Sequence, residues 1–172
     1  PAHVKMLITM GSPLVPKPTW MKAALKIGLK FSGIDSRVKK PGNVEYWVNL
    51  WAEKDIISNQ IGAADKNIMV DASAIPCREA LAQKIARYKR DVEIHKKREQ
   101  TYGYALLTME QLECDRPTLP EELKQARADL SAFNSVSVWH GAYFTGVEIK
   151  STALGKDYRL DAVQKFFMPL LR

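Results

Sequence analysis

Two short apolar runs with the composition of buried β-strands constrain the fold of this chain most. The run Val4–Met10 ends at the turn-forming residues Gly11-Ser12-Pro13, and the run Val44–Trp51 leads into the charged residues Glu53-Lys54-Asp55. Between the two runs, apolar residues of the segment 19–31 recur at helical spacing. A strand, a helix and a second strand in succession are typical of an α/β fold, so we predict that fold class.

The rest of the chain adds further predicted elements. From Arg78 onward, apolar residues recur every three or four positions, which predicts a long helix with one charged face. The sequence also predicts a short strand over 67–71, a helix over 118–132, a strand over 135–139 and a final helix from Arg159. The pattern shows no repeat and no linker, so we expect a single domain over 1–172.

The composition excludes several classes of protein. In 172 residues, 46% are hydrophobic and 26% are charged, which argues against intrinsic disorder. No apolar run approaches the roughly 18 residues that a membrane span requires, so no transmembrane helix is predicted. Cys77 and Cys114 lie far apart in a chain without a signal-peptide pattern, which favours reduced thiols and a cytoplasmic location. Neither the cysteines nor the histidines have zinc-site spacing, so we expect no metal and no cofactor.

Three motifs in a fixed order resemble a known family. The first is the strand end Gly-Ser-Pro-Leu over 11–14, the second is Trp47–Trp51 followed by Asp55-Ile56-Ile57-Ser58, and the third is His-Gly-Ala-Tyr-Phe over 140–144. Together they resemble the C-terminal half of a serine esterase or lipase of the α/β-hydrolase fold. The resemblance covers most of 4–75 and 135–172. It implies a partial α/β-hydrolase sheet, a helical cap-like insertion over 77–134, and an ester or lipid-like small-molecule substrate.

The resemblance also implies roles for single residues. Asp55 is the expected acid and His140 the expected base of a catalytic triad, and Asp71, which follows another predicted strand, is the alternative acid. A serine hydroxyl becomes a nucleophile when an imidazole takes its proton, and the imidazole needs a carboxylate on its other nitrogen. Ser12 is predicted to form a turn rather than to act as nucleophile, because Pro13 removes the N–H that a nucleophile elbow uses.

The serine itself is missing from the expected triad. No Gly-x-Ser-x-Gly occurs in the 172 residues, and the resemblance places that motif upstream of Val4. We therefore expect the chain to be a fragment that is complemented by an N-terminal half. Self-association is the alternative, because an isolated half-sheet exposes a strand edge.

Two other functions stay open. Pro1 at the start of a strand resembles the beginning of the tautomerase superfamily, in which the proline amine acts as general base. The chain carries 26 Lys and Arg against 19 Asp and Glu, and the segment 84–98 holds seven basic and two acidic residues. That segment is expected to be a solvated helix face, and a non-catalytic binding module on a hydrolase-like scaffold would use it against an anionic surface.

Overall fold

The chain has a mixed α/β fold, seen in a computed structural model that describes residues 2–12, 14–15, 38–102 and 118–172. The predicted helix over 19–31 and the continuation of the long helix beyond residue 102 lie outside these residues. The elements in chain order are β1 (Val4–Met10), β2 (Val44–Trp51), β3 (Lys66–Met69), α1 (Ile75–Tyr102), α2 (Leu119–Phe133), α3 (Val136–Thr145), β4 (Val147–Ser151) and β5 (Lys156–Leu160).

The elements divide into two compact units. The first comprises Pro1–Ala74, Ser135–Glu148 and Arg159–Arg172. The second comprises Ile75–Asn134 and Ile149–Tyr158, so the helical segment is joined there by most of β4 and β5. Each unit is therefore assembled from segments that are distant in sequence.

The first unit is built on a parallel sheet of three strands in the order β1-β2-β3. In the central strand, Trp47, Val48 and Leu50 are all buried, although consecutive residues point to opposite faces. Covering of both faces explains why β2 is an almost continuous apolar sequence. The predicted strands at the beginning of the chain are confirmed.

A line of polar side chains crosses this sheet at one level. Thr9 pairs with Asn49, and Asn49 pairs with Asn67, on three adjacent strands. The Thr9 hydroxyl donates to Asn49 Oδ1 at 3.0 Å, and Asn49 Nδ2 donates to Asn67 Oδ1 at 2.9 Å. Because buried polar groups must find partners, this line stabilises one strand register over its alternatives.

The second unit contains α1 and α2, which pack against each other. Leu81 of α1 and Leu123 of α2 are buried, and Arg78 Nε donates to the carbonyl oxygen of Phe133 at 3.1 Å. The ring of Phe133 makes an edge contact with Tyr158 at 5.5 Å between centroids. The helices predicted from Arg78 and over 118–132 are confirmed, with α1 beginning three residues earlier.

The strand predicted over 135–139 is wrong, because these residues begin helix α3. Alternation of serine and valine over a few residues resembles a strand, but the burial follows a helical period. The buried positions of α3 are Trp139, Ala142 and Tyr143, so that three and four residues separate the first from the other two. Packing of these side chains determines the local structure against the preference of the two valines.

The helix predicted from Arg159 is also wrong at its start. Arg159 and Leu160 belong to β5, which forms a two-stranded sheet with β4. The connecting turn uses Gly155 at φ +63°, a conformation that favours glycine. Helical turns begin only after Asp161, over Val163–Phe167 and Met168–Leu170.

None of the helices in the described ranges is long and apolar enough to cross a membrane.

Candidate functional site

The candidate site begins at the loop that follows β2. Its backbone is held by Asp71, a buried residue just after β3, whose carboxylate accepts the N–H groups of Glu53 at 2.8 Å and Lys54 at 3.2 Å. Parallel neighbouring strands end at the same sheet edge, which is why a residue after β3 reaches the loop after β2. Asp71, the alternative acid, thus uses its carboxylate to shape the loop that carries Asp55.

Asp55 lies in this loop and is fully buried, with 0% of its side chain exposed. Its Oδ1 accepts the N–H of Ile57 at 2.9 Å, which closes a local turn. Its Oδ2 lies 3.1 Å from His140 Nδ1 and accepts the hydroxyl proton of Tyr143 at 3.0 Å. A buried carboxylate requires such donors, because it has lost its water shell.

His140 lies on α3, beside the buried residues that anchor the helix. Trp139 and Tyr143 face the interior, whereas half of the His140 side chain is exposed. The structure therefore brings together the two residues that were predicted as acid and base, 85 positions apart in sequence. Their catalytic role stays a prediction.

The contact fixes the proton on the imidazole. An ionised carboxylate only accepts hydrogen bonds, so His140 Nδ1 must carry the proton that points at Asp55 Oδ2. In the neutral ring, Nε2 is then the basic nitrogen. This is the tautomer that a general base needs, and half of the His140 side chain is exposed to solvent.

Two hydroxyl groups complete the site, and sequence analysis missed both. The Tyr143 hydroxyl lies 2.7 Å from Ser58 Oγ, and Ser58 in turn accepts the N–H of Ala52 at 3.3 Å. Burial raises the pKa of Tyr143 above its ordinary value of 10.0, and the nearby charge of Asp55 adds to the effect. Tyr143 is therefore a neutral donor at physiological pH. Its spacing of three residues from His140 would have been informative had the helix been recognised.

The glycine of the first motif contacts this group. Gly11 has φ +57°, and a Cβ built there would lie 2.9 Å from Cε2 of Tyr143. The next residue, Ser12, accepts the N–H of Leu14 at 3.4 Å. Gly11 has no side chain and therefore leaves room for the Tyr143 ring. The hydrogen bond of Ser12 agrees with the structural role predicted for that residue.

The second unit contains a further histidine and a cysteine. His95 is a half-buried residue of α1 in the second unit, and Cys77 is a buried free thiol at the start of that helix. Pro1 and Cys114 lie outside the described residues. Within the described ranges, no three His, Cys, Asp or Glu side chains are grouped so that they could hold a metal ion.

Comparison of the chain with protein-family models, with curated proteins and with solved structures gives no match.

Proposed function

We propose that this chain supplies the acid and the base of a Ser-His-Asp triad in an esterase or lipase of the α/β-hydrolase fold. The observation that carries the proposal is the contact between the buried carboxylate of Asp55 and Nδ1 of the half-exposed His140. The serine is contributed from outside these 172 residues, by an N-terminal half or by another chain. In this interpretation β1, β2 and β3 are the last parallel strands of a larger hydrolase sheet.

The position of the acid in the fold supports this assignment. Asp55 follows the carboxyl end of a central parallel strand, where open α/β sheets collect their functional groups. The chain order of acid and then histidine is the order found in α/β-hydrolases. Gly11 lies beside the same site, at the end of the strand that the resemblance places after the nucleophile helix.

The Asp55–His140 pair is suited to the proton transfers of ester hydrolysis. Nε2 of His140 takes the proton of the serine hydroxyl while the oxygen forms a bond to the ester carbonyl carbon. The protonated imidazole is stabilised by Asp55, and it then gives its proton to the departing alcohol as the carbon–oxygen bond breaks. Water repeats the sequence on the acyl-enzyme, with His140 again as base, and releases the acid.

The surroundings of His140 favour an apolar acyl group. Val136 and Phe144 lie four residues before and after His140 on α3, and 63% of Phe144 is exposed. Ile56, next to Asp55, is exposed as well. Apolar side chains on the accessible side of a catalytic base match an acyl chain or lipid better than a peptide backbone.

The test is made on the protein encoded by the complete reading frame that contains these residues. Hydrolysis of a p-nitrophenyl ester and labelling by a fluorophosphonate probe are measured for the wild type, His140→Ala and Asp55→Asn. His3→Ala is the matched control, because that histidine is exposed and precedes β1.

We expect kcat to fall by about 10³- to 10⁴-fold in both site variants, with labelling lost in parallel. The reason is that the serine is activated only when the acid and the base are both present. His3→Ala should retain wild-type turnover. Unchanged turnover in His140→Ala, or a complete protein that no fluorophosphonate labels, would overturn the proposal.

A second candidate function, binding of an anionic surface, is favoured by the exposure of α1. Of the basic residues over 84–98, Lys84 donates to the carbonyl of Ala153 and is half-buried. The others are exposed, namely Arg87, Lys89, Arg90, Lys96, Lys97 and Arg98. Such a helix face attracts phosphate-rich or acidic partners.

Vesicles with and without anionic phospholipid distinguish this candidate. The substitutions Lys89→Glu and Arg90→Glu together should reduce binding to anionic vesicles by at least about tenfold at low salt, because charge attraction near a surface is about 1 kcal/mol per basic residue. Equal binding to neutral vesicles, or binding that salt does not weaken, would eliminate it.

A further inference from the structure

We propose that Tyr143 and Ser58 are positioning residues that hold Asp55 in the orientation His140 requires. This inference rests on the proposed function and goes beyond it, because the triad itself needs neither hydroxyl. Tyr143 donates to the same oxygen, Oδ2, that faces His140 Nδ1. The Asp55 carboxylate is therefore held by the Tyr143 hydroxyl as well as by the His140 imidazole.

The hydrogen bonds around Asp55 have only one consistent direction. The Tyr143 hydroxyl gives its single proton to Asp55 Oδ2, so its oxygen must accept from Ser58. The Ser58 oxygen in turn accepts the N–H of Ala52. The chain of donors runs from the backbone through two hydroxyls to the carboxylate, and each bond polarises the next.

Burial makes this chain rigid and keeps it neutral. Ser58 is fully buried and Tyr143 is almost so, which excludes water as a competing partner. The ring of Tyr143 lies against Gly11, where a methyl group would come within 2.9 Å. Because the Tyr143 ring packs against the backbone at the end of β1, its hydroxyl has little freedom to move. The Asp55 carboxylate, which accepts from that hydroxyl, is restricted in turn.

The groups that contact Asp55 from α3 are an imidazole and a phenol. His140 and Tyr143 are the titratable groups that contact Asp55 from α3. In the loop itself, Lys54 Nζ lies 3.7 Å from Glu53 Oε2, and both residues present their N–H groups to Asp71. The Tyr143 phenol thus donates a hydrogen bond to Asp55 without placing a further positive charge beside His140.

The first arm of the test needs no turnover. Proton NMR of the protein from the complete reading frame detects the far-downfield resonance of an imidazole N–H bound to a carboxylate, here Nδ1–H of His140. We expect Tyr143→Phe to broaden this resonance and move it upfield, because Asp55 loses the donor that holds its carboxylate toward Nδ1 of His140. Ser58→Ala should move it less in the same direction, since the phenol becomes a weaker donor. Tyr46→Phe, at an exposed tyrosine of β2, should leave it in place.

The second arm is kinetic and uses the protein from the complete reading frame. We expect Tyr143→Phe to lower kcat by about 10- to 100-fold, the range found for groups that orient metal-binding histidines, with KM almost unchanged. A change in KM alone, or a resonance that does not move in Tyr143→Phe and Ser58→Ala, would overturn the positioning role. If instead the resonance survives Asp55→Asn, the Asp55–His140 pair itself is absent, and it is the proposed function that fails.

Discussion

Asp55 in the first unit and Asp129 in the second are both buried carboxylates, yet their partners differ in kind. Asp129 accepts hydrogen bonds from the side-chain amide of Gln125 at 2.6 Å, the Ser151 hydroxyl at 2.8 Å and the N–H of Ala153 at 2.8 Å. All three donors are neutral. Asp55 also binds a backbone N–H and a hydroxyl, but one of its partners is an imidazole open to solvent.

The comparison shows that two carboxylates can both be buried and differ in the chemistry of their partners. The hydrogen bonds of Asp129 connect α2 to the turn between β4 and β5. The donors that compensate its negative charge do not titrate. Asp55 is equally desolvated, but its negative charge acts on a base that can take up a proton. Burial alone is therefore a weak indicator of function, and the nature of the partners is a stronger one.

The largest effect is expected at the structural carboxylate. Asp129→Ala leaves a buried hydroxyl and an N–H without their acceptor, which should reduce the stability of the second unit by about 2–4 kcal/mol. Hydrogen exchange of the amides of α2 and β4 measures this loss. Asp157→Ala, at an exposed aspartate of β5, is the control and should change stability by less than about 0.5 kcal/mol. Equal losses in both variants would contradict the structural role of Asp129.

A second prediction concerns the contact between Gly11 and the Tyr143 ring. Gly11→Ala forces a positive φ on an alanine and brings its Cβ against the ring, so it should destabilise the first unit by about 1–3 kcal/mol. Urea unfolding, with the NMR resonance of His140 as a local probe, measures the effect. Gly62→Ala adds a methyl group in open space and should be nearly neutral. A Gly11→Ala variant as stable as Gly62→Ala would show that the ring has another place to lie.

A third prediction concerns the exposed residues near His140, since solvent exposure of a partner distinguishes the Asp55 site from that of Asp129. Phe144→Ser removes an exposed ring near His140, and we expect the kcat/KM ratio of long-chain to short-chain esters to fall about three- to tenfold. Leu171→Ser, at a residue with similar exposure of 61%, should leave that ratio unchanged. The outcome that counts against acyl recognition on α3 is the same selectivity in both variants.

The smallest effect extends the comparison to an exposed carboxylate. Hydrogen bonds from Lys40 and from the N–H of Trp47 lower the pKa of Asp65 below its ordinary value of 3.8. Because the folded state favours the ionised form, this group stabilises the fold above about pH 4 and loses its contribution as the pH falls through the lowered pKa. Asp65→Asn should thus lower the urea midpoint slightly at about pH 7 and less at about pH 3. A deficit that is independent of pH would rule out the ion pair as its cause.

Much of the fold could be predicted because its elements have local periodic signals. The buried strand β2 and the amphipathic helix α1 have such signals. At 135–145 the signals conflict, since two valines favour a strand while Trp139, Ala142 and Tyr143 bury a helical face. The sheet of β4 and β5 was missed although the buried residues of β4 alternate with exposed ones. The preceding error in α3 concealed that alternation.

The site could be predicted only as far as single residues could be placed. Asp55 follows a strand that the sequence reveals, and His140 came from the ordered motifs. Tyr143 and Ser58 could not be inferred in the same way, because their hydrogen bond joins positions 85 residues apart and depends on tertiary packing. Local spacing carries no information about such a contact unless both elements and their packing are known.

The separation of Asp55 from His140 also has a consequence for the order of events during protein synthesis. A ribosome that adds about 5–20 residues per second needs roughly 4–17 s to make the 85 residues between them. Throughout that interval the nascent loop after β2 lacks the imidazole and the phenol that compensate its buried carboxylate. The sheet edge must therefore stay hydrated until α3 emerges, so the first unit cannot close around Asp55 co-translationally before His140 and Tyr143 have been made.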